Sequence, residues 1–434
     1  MKHNVLLLLS CAVSLYADTV LTLSKAYEFA LINHPGYRAE KFKTEAVLEN
    51  VKQAESKLYP KIDISASAGK YEYETNYNDT QTSEEYKTYS LSLVQPLFHP
   101  ELWRAVDQTQ TQYDISKVEF EKQAQLVSID VIKIYMQILQ VQAHIEELQV
   151  KKELYDAKFT KSSYMIPMGL SNSVELLDAK VNKEKASIDL IAKKREYKTL
   201  KNKLERLTKT NFDSIAKYDA ENFFLMSKEK WINRLQENKD LKIVRLSKKM
   251  AEDEVSIRRY DYYPKIDLSL QRNQDNTNDP FTHKYDNKVF IQFSLSVYQG
   301  GYTSSRIQEA MLLLSAAELN EEFVYMQIQD KFEELWAQRE SLCESIDVLK
   351  QALESSKMLL KATQDECKNG IKNQLDIMEA ELKIKNIESK LEVSLRDMTI
   401  NEIDLLNLTG QLVADKIKDI EKNLLKVEQQ ALNN

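Results

Sequence analysis

The chain is poor in the residues that interrupt helices. Its 434 residues include 7 glycines and 7 prolines, where ordinary usage of roughly 7% and 5% would give about 30 and about 22. That scarcity excludes a loop-rich all-β domain, a chain built around glycine-rich phosphate loops and a disordered chain, and leaves long helices. With 3 cysteines no disulfide framework can form. The 5 histidines (His3, His34, His99, His144, His283) are scattered, without metal-ligand spacing, so no metal or cofactor is expected. No Ser-His-Asp set or paired-carboxylate cleft stands out, and no enzyme is expected. Positive charge is not in excess either. A net charge of -7 argues against a nucleic-acid partner, which would want a basic stripe. A mean hydropathy of -0.49 excludes a helical multi-span membrane protein. Beyond the N-terminus no stretch approaches the ~20 apolar residues of a spanning helix.

What is present begins at the N-terminus. Lys2 precedes Val5-Leu6-Leu7-Leu8-Leu9, and Ala17 precedes Asp18. A basic start, a short apolar core and a small residue before a polar one read as a secretory signal peptide over residues 1–17. Lipid modification of Cys11 is an open alternative. In an exported chain without apolar helices, any membrane insertion must use strands.

The remainder is an internal duplication. Tyr59-Pro60-Lys61-Ile62-Asp63 recurs as Tyr263-Pro264-Lys265-Ile266-Asp267, an offset of 204 residues. The segment from Gly169 to Ala179 matches that from Gly370 to Ala380, an offset of 201. Order and spacing agree, so one unit is used twice. The organisation expected is a signal peptide at 1–17, a first repeat at 18–210, a connector at 211–229, a second repeat at 230–411 and a polar helical tail at 412–434.

Glycine and proline fall at junctions within each repeat. Between them, residues 101–166 and 302–369 run without a breaker, long enough for helices of about 100 Å each. Leu342, Ile346, Leu349 and Leu353 step by four, three and four; Val174, Leu177, Val181 and Ile188 continue the same rhythm after Gly169. These are coiled-coil seams. Strands lie between the helices. Ile62, Ile64 and Ala66 alternate with Asp63 and Ser65, Leu91 and Leu93 with Ser90 and Ser92, Ile266 and Leu268 with Asp267 and Ser269, and apolar residues from Val289 to Val297 with Gln292 and Ser294. Each strand has one apolar and one polar face. The parity shift after Gly69 predicts a bulge, and polar loops at 78–85 and 273–287 are expected to close two hairpins.

Apolar-out, polar-in strands fit a membrane β-barrel, but four strands cannot close one, and open edges are not tolerated in lipid. The barrel must be shared between copies. Two copies give eight strands with a filled interior and three give twelve, which can leave a channel. The fold class expected is therefore mainly α with a small β portion: an oligomeric tube with a long coiled-coil helical barrel and a β-barrel to which each chain gives four strands. The competing reading is an exported, non-conducting coiled coil with a structural or binding role.

The duplicated set, in this order, resembles the TolC family of outer-membrane channel proteins. Leu23-Ser24-Lys25-Ala26 through Asn33-His34-Pro35 is similar to its opening helix, and the two Tyr-Pro-Lys-Ile segments to its helix-to-strand junctions at Pro60 and Pro264. Gln95-Pro96-Leu97-Phe98 and Val297-Tyr298-Gln299-Gly300-Gly301 resemble its strand exits. The resemblance implies a homotrimer in the outer membrane whose helical barrel crosses the periplasm. Its partners would be a periplasmic adaptor and an inner-membrane transporter, in a tripartite efflux pump or a type I secretion system. By residue match it further implies that Asp376 and Glu379 line the periplasmic entrance, with Glu175 their counterpart in the first hairpin, and that Lys372 belongs to a network holding the entrance shut. Asp178 joins them by position. The hairpin turns at Pro167, Gly169 and Gly370 are the implied adaptor contacts. Beside this stands a plainer reading of the acids: carboxylates early in a helix favour its dipole, and Asn373 with Asp376 has the spacing of a cap.

Overall fold

A computed structural model of the chain describes residues 20–75, 80–168, 172–216, 227–276, 284–412 and 418. The expected signal segment, Cys11, Gly169 and nearly all of the tail lie outside the described residues.

In chain order the elements are β1 (Val20–Leu21), α1 (Leu23–Asn33), α2 (Pro35–Ser56), β2 (Lys61–Thr75), β3 (Thr80–Phe98), α3 (Pro100–Met165) and α4 (Ser173–Thr208). There follow β4 (Ser214–Ile215), α5 (Lys228–Arg234), α6 (Lys239–Arg259), β5 (Lys265–Asn276), β6 (Asp286–Ser294), α7 (Tyr302–Lys368) and α8 (Gln374–Leu408). The scarcity of breakers is expressed directly in α3 and α7, of 66 and 67 residues. Pro35 and Pro100 each open a helix, where the missing N–H costs nothing.

The residues group into two compact units. One comprises Met1–Arg38, Gln123–Leu235 and Asp330–Asn434, the other Ala39–Lys122 and Gln236–Gln329; α3 and α7 contribute to both. The core of the first unit is built from α1, α3, α4, α5 and α8, with Leu23, Ile132, Tyr135, Leu204, Trp231 and Met398 fully enclosed. Each such side chain contributes roughly 1.5–3 kcal/mol by leaving water. β1 and β4 form a short parallel pair. The Tyr135 hydroxyl lies within bonding distance of the carbonyls of Leu21 (2.9 Å) and Ala216 (3.0 Å), tying that pair to α3. One 18-residue window of α3 is long and apolar enough to cross a membrane by composition, which corrects the expectation that no second stretch comes close. Within the chain 67% of that window is buried, as befits a core helix.

The second unit holds the four-stranded antiparallel sheet, in the order β2-β3-β5-β6. Its register sets Ile62 opposite Leu93 and Ile64 opposite Leu91, Leu93 opposite Leu270, and Leu268 and Ile266 opposite Ile291 and Phe293. With side chains alternating, all four strands place most of their apolar residues on one face; Val94 and Phe290 fall on the other, and Arg272, opposite Leu91, shares the apolar one. That face is open: Ile64 is 82% and Ile291 66% exposed.

Three expectations about this sheet need correction. No bulge occurs at Gly69; the β2–β3 ladder runs unbroken from Lys61↔Val94 to Thr75↔Thr80. Gly69 stands opposite Tyr86, whose ring atoms would lie 2.7 Å from any Cβ there, so the glycine makes room for a ring. The register shift falls instead between Pro96 and Phe98, where proline cannot donate to the ladder. The polar segments expected as loops carry the ladder further than the apolar alternation does: 80–85, 273–276 and 286–287 are strand, while 78–79 and 277–283 lie outside the described residues. And β6 leaves the ladder at Ser294, short of Val297: Ser294 pairs with Lys265, and Pro264 ends the partner.

Candidate functional site at the helical hairpin ends

The second helix of each helical hairpin opens in a related way. α7 ends in a Schellman arrangement, with the Ile371 amide donating to Glu366 O (2.9 Å) and the Gly370 amide to Cys367 O (3.0 Å). Gly370 takes φ +74°, the left-handed conformation this closure needs. On the other side, Asn373 caps α8 in a complete capping box: its side chain accepts from the Leu375 amide (2.9 Å), and its own amide donates to the Asp376 carboxylate (2.8 Å). The first hairpin repeats the cap. The Asn172 side chain accepts from the Glu175 amide at 2.8 Å and opens α4. Pro167 lies in the turn that follows α3, where the Met168 amide donates to Met165 O (3.2 Å). Glu175 and Asp376 thus occupy the same position in two equivalent caps, where their charge also complements the helix dipole.

One turn further, Asp178 and Glu379 are exposed. Glu379 is ion-paired with Lys158 of α3, Oε1 to Nζ 2.5 Å. Lys372 is ion-paired with Glu366 within its own turn, at 3.4 Å. Two clefts flank these groups. One of about 380 Å³ is lined by Lys158, Lys161, Glu175 and Asp178, among others. The other, of about 470 Å³, is lined by Glu147, Lys151, Lys158, Glu379 and Lys383, among others. The structure therefore brings Glu175 and Asp178 together in one cleft and Glu379 into the next, while Asp376 stays in its cap and Lys372 at its turn. Lys158 was missed in the sequence. Only a helical-face projection of α3 could have flagged it, and nothing in its neighbourhood marks a motif. A second missed pair, Lys183 to Asp156 at 2.6 Å, ties α4 to α3.

The strand junctions are equally specific. Pro60 and Pro264 each directly precede a strand, and Gly300 (φ +59°) and Gly301 (φ +86°) lead into α7. At the exit of β3, one ring nitrogen of His99 faces Glu101 (3.1 Å) and the other Asp267 (3.0 Å), while Lys265 pairs with Glu101 at 3.0 Å. Burial raises the Glu101 pKa, but hydrogen bonds from Lys265, the backbone and His99 and the Lys265 charge outweigh it, and the net shift is downward. Trp103 packs edge-on against Phe98, 5.8 Å between centroids.

A duplicated helix, β-hairpin and long helical hairpin, with an outward apolar sheet face, defines a class of membrane-inserted, helix-extended channel proteins. The profile of the outer membrane efflux protein family matches this chain twice, at residues 26–208 and 233–411. The chain belongs to that family, and is an outer-membrane channel protein of the efflux and secretion class. It is 22% identical to outer membrane protein TolC of Escherichia coli, over 90% of this chain and 82% of that one. It is 22% identical to the alkaline protease secretion protein AprF of Pseudomonas aeruginosa, over 83% of this chain and 78% of AprF. The Campylobacter jejuni CmeC outer membrane channel has the same fold, with a TM-score of 0.76 at 16% identity, covering 93% of this chain and 90% of that one.

Proposed function

We propose that three copies of this chain close into the exit duct of a tripartite efflux pump or type I secretion system. Substrate would pass from an inner-membrane transporter, through a periplasmic adaptor, to the exterior. The observation that carries the reading is the sheet: four strands with one open, predominantly apolar face and two unpaired outer edges, on β2 and β6. Neither edge can face lipid unpaired. They are different edges, so β6 of one copy meeting β2 of the next is a head-to-tail contact, which closes into a ring. Three copies give twelve strands. The stripe Val174, Leu177, Val181, Ile188 and Ile191 on α4 supports assembly independently. The sequence reads its first four members as a coiled-coil seam, yet within one chain every member, Ile191 included, is at least 53% exposed, so its partner would be another copy.

In this reading the hairpin ends form the periplasmic entrance, and Glu175, Asp178, Asp376 and Glu379 become rings of carboxylate by symmetry. Such rings attract cations and set selectivity. The turns at Pro167, Gly169 and Gly370 would meet the adaptor, and Lys372 would belong to the network that holds the entrance shut.

The testing experiment is single-channel recording of purified protein in a planar bilayer, together with its mass in detergent. A trimer with discrete cation-selective steps is expected, with block by trivalent cations that weakens when Asp376 and Glu379 become amides. A monomer that never conducts would overturn the duct reading.

A further inference from the structure

Four carboxylates at one end of a hairpin pair suggest a strongly acidic mouth, but the side chains around them say otherwise. The cleft holding Glu175 and Asp178 also holds Lys158 and Lys161, two cations against two anions. The cleft holding Glu379 and Glu147 also holds Lys151, Lys158 and Lys383, three against two. Neither is net negative. Lys158 is the one charged residue common to both clefts. It reaches from α3 to Glu379 on α8, with its ammonium 5.8 Å from the ring centre of Tyr155, a turn earlier on the same helix.

We propose that Lys158 is a selectivity-determining residue of this channel: it is the counter-ion that masks Glu379 and offsets Glu175 and Asp178, so that it sets how strongly the entrance prefers cations. The proposal rests on the reading of the hairpin ends as the entrance. The chemistry is simple. An ammonium beside a carboxylate cancels most of its field at the distance of a passing ion. Replacing it by a neutral side chain removes one positive charge per chain and leaves Glu379 without its ion-pair partner, and the assembly repeats that change in a ring. The Lys158 and Glu379 side chains are 33% and 47% exposed, so water screens the pair and the effect is moderate. Exposed pairs are worth a factor of about 1.5 to 5 in an equilibrium, and a change of that order is expected in the permeability ratio.

The test is reversal potential under a salt gradient, in planar bilayers, with the full-length protein. Lys158→Gln is expected to raise the cation-to-anion permeability ratio by a factor of about 1.5 to 5 and to sharpen block by a trivalent cation. Glu379→Gln is expected to lower the ratio. The double variant, a neutral pair for an ion pair, should return near wild type. Lys158→Arg keeps the charge and should keep the wild-type ratio, as should Lys152→Gln, which removes a lysine outside both clefts. A purely structural role would change stability or conductance, but would not shift the reversal potential in opposite directions for the two partners. A conducting Lys158→Gln channel with wild-type selectivity overturns the proposal and leaves the duct reading intact; a wild-type protein that does not conduct overturns the duct reading itself.

Discussion

Replacing Ile291 by arginine separates a lipid-facing sheet from a water-facing one. Ile291 lies in mid-β6, opposite Leu268, 66% exposed, with Val289 and Phe293 on the same face. If the face meets water, exchanging an exposed apolar residue is a surface change, within about 0.5 kcal/mol. If it meets acyl chains, arginine near the bilayer midplane costs about 2–4 kcal/mol, a factor of about 30 to 700 per chain. In a ring of three, each copy carries the charge. The sites are far apart, so the penalties add to roughly 6–12 kcal/mol per assembly. The control is Gln292→Arg, the next residue on the opposite face, opposite Asp267, where the lumen would accept a charge. Folding into vesicles under urea titration, and the yield of assembled protein extracted from outer membranes, read the difference. If Ile291→Arg folds and assembles as well as Gln292→Arg, within about 0.5 kcal/mol per chain, the apolar face does not meet lipid.

Three further outcomes are expected. Tyr135→Phe removes one enclosed oxygen and leaves the Ala216 carbonyl without its side-chain donor; at about 1–3 kcal/mol for an orphaned buried group, hydrogen exchange of the Ala216 amide, which donates to Leu21 O, should quicken by roughly tenfold or more. Gly370→Val meets no steric obstacle, since nothing lies within 4 Å of a Cβ there, yet the φ of +74° costs a β-branched residue about 1–2 kcal/mol. The turn should become more protease-sensitive while the bulk of the chain stays folded. The Glu101 carboxyl is held below its ordinary pKa in the folded state, so its contribution is fully present above the unfolded value of about 4.3 and is lost as pH falls through the lower, folded one. Acid unfolding monitored by circular dichroism should be less steep in that window for Glu101→Gln.

What could be read from the residues was what neighbours along the chain decide. The helix bounds follow from local signals: proline at a first helical position in α2 and α3, asparagine caps before α4 and α8, and a glycine closing α7. The Asn373–Asp376 cap was readable for the same reason, its partners being three positions apart. The faces of the strands followed from alternation alone, since side chains alternate whatever the strand pairs with. Tertiary structure decided the rest. The order β2-β3-β5-β6 joins strands from different repeats, and alternation carries no partner label. The need for glycine at 69 comes from the ring of Tyr86 across the ladder, and the early end of β6 depends on Pro264 in its partner. The charge of the hairpin ends was read from one helix at a time, and so looked acidic. Its balance depends on Lys158, which meets Glu379 only because two helices far apart in sequence pack side by side.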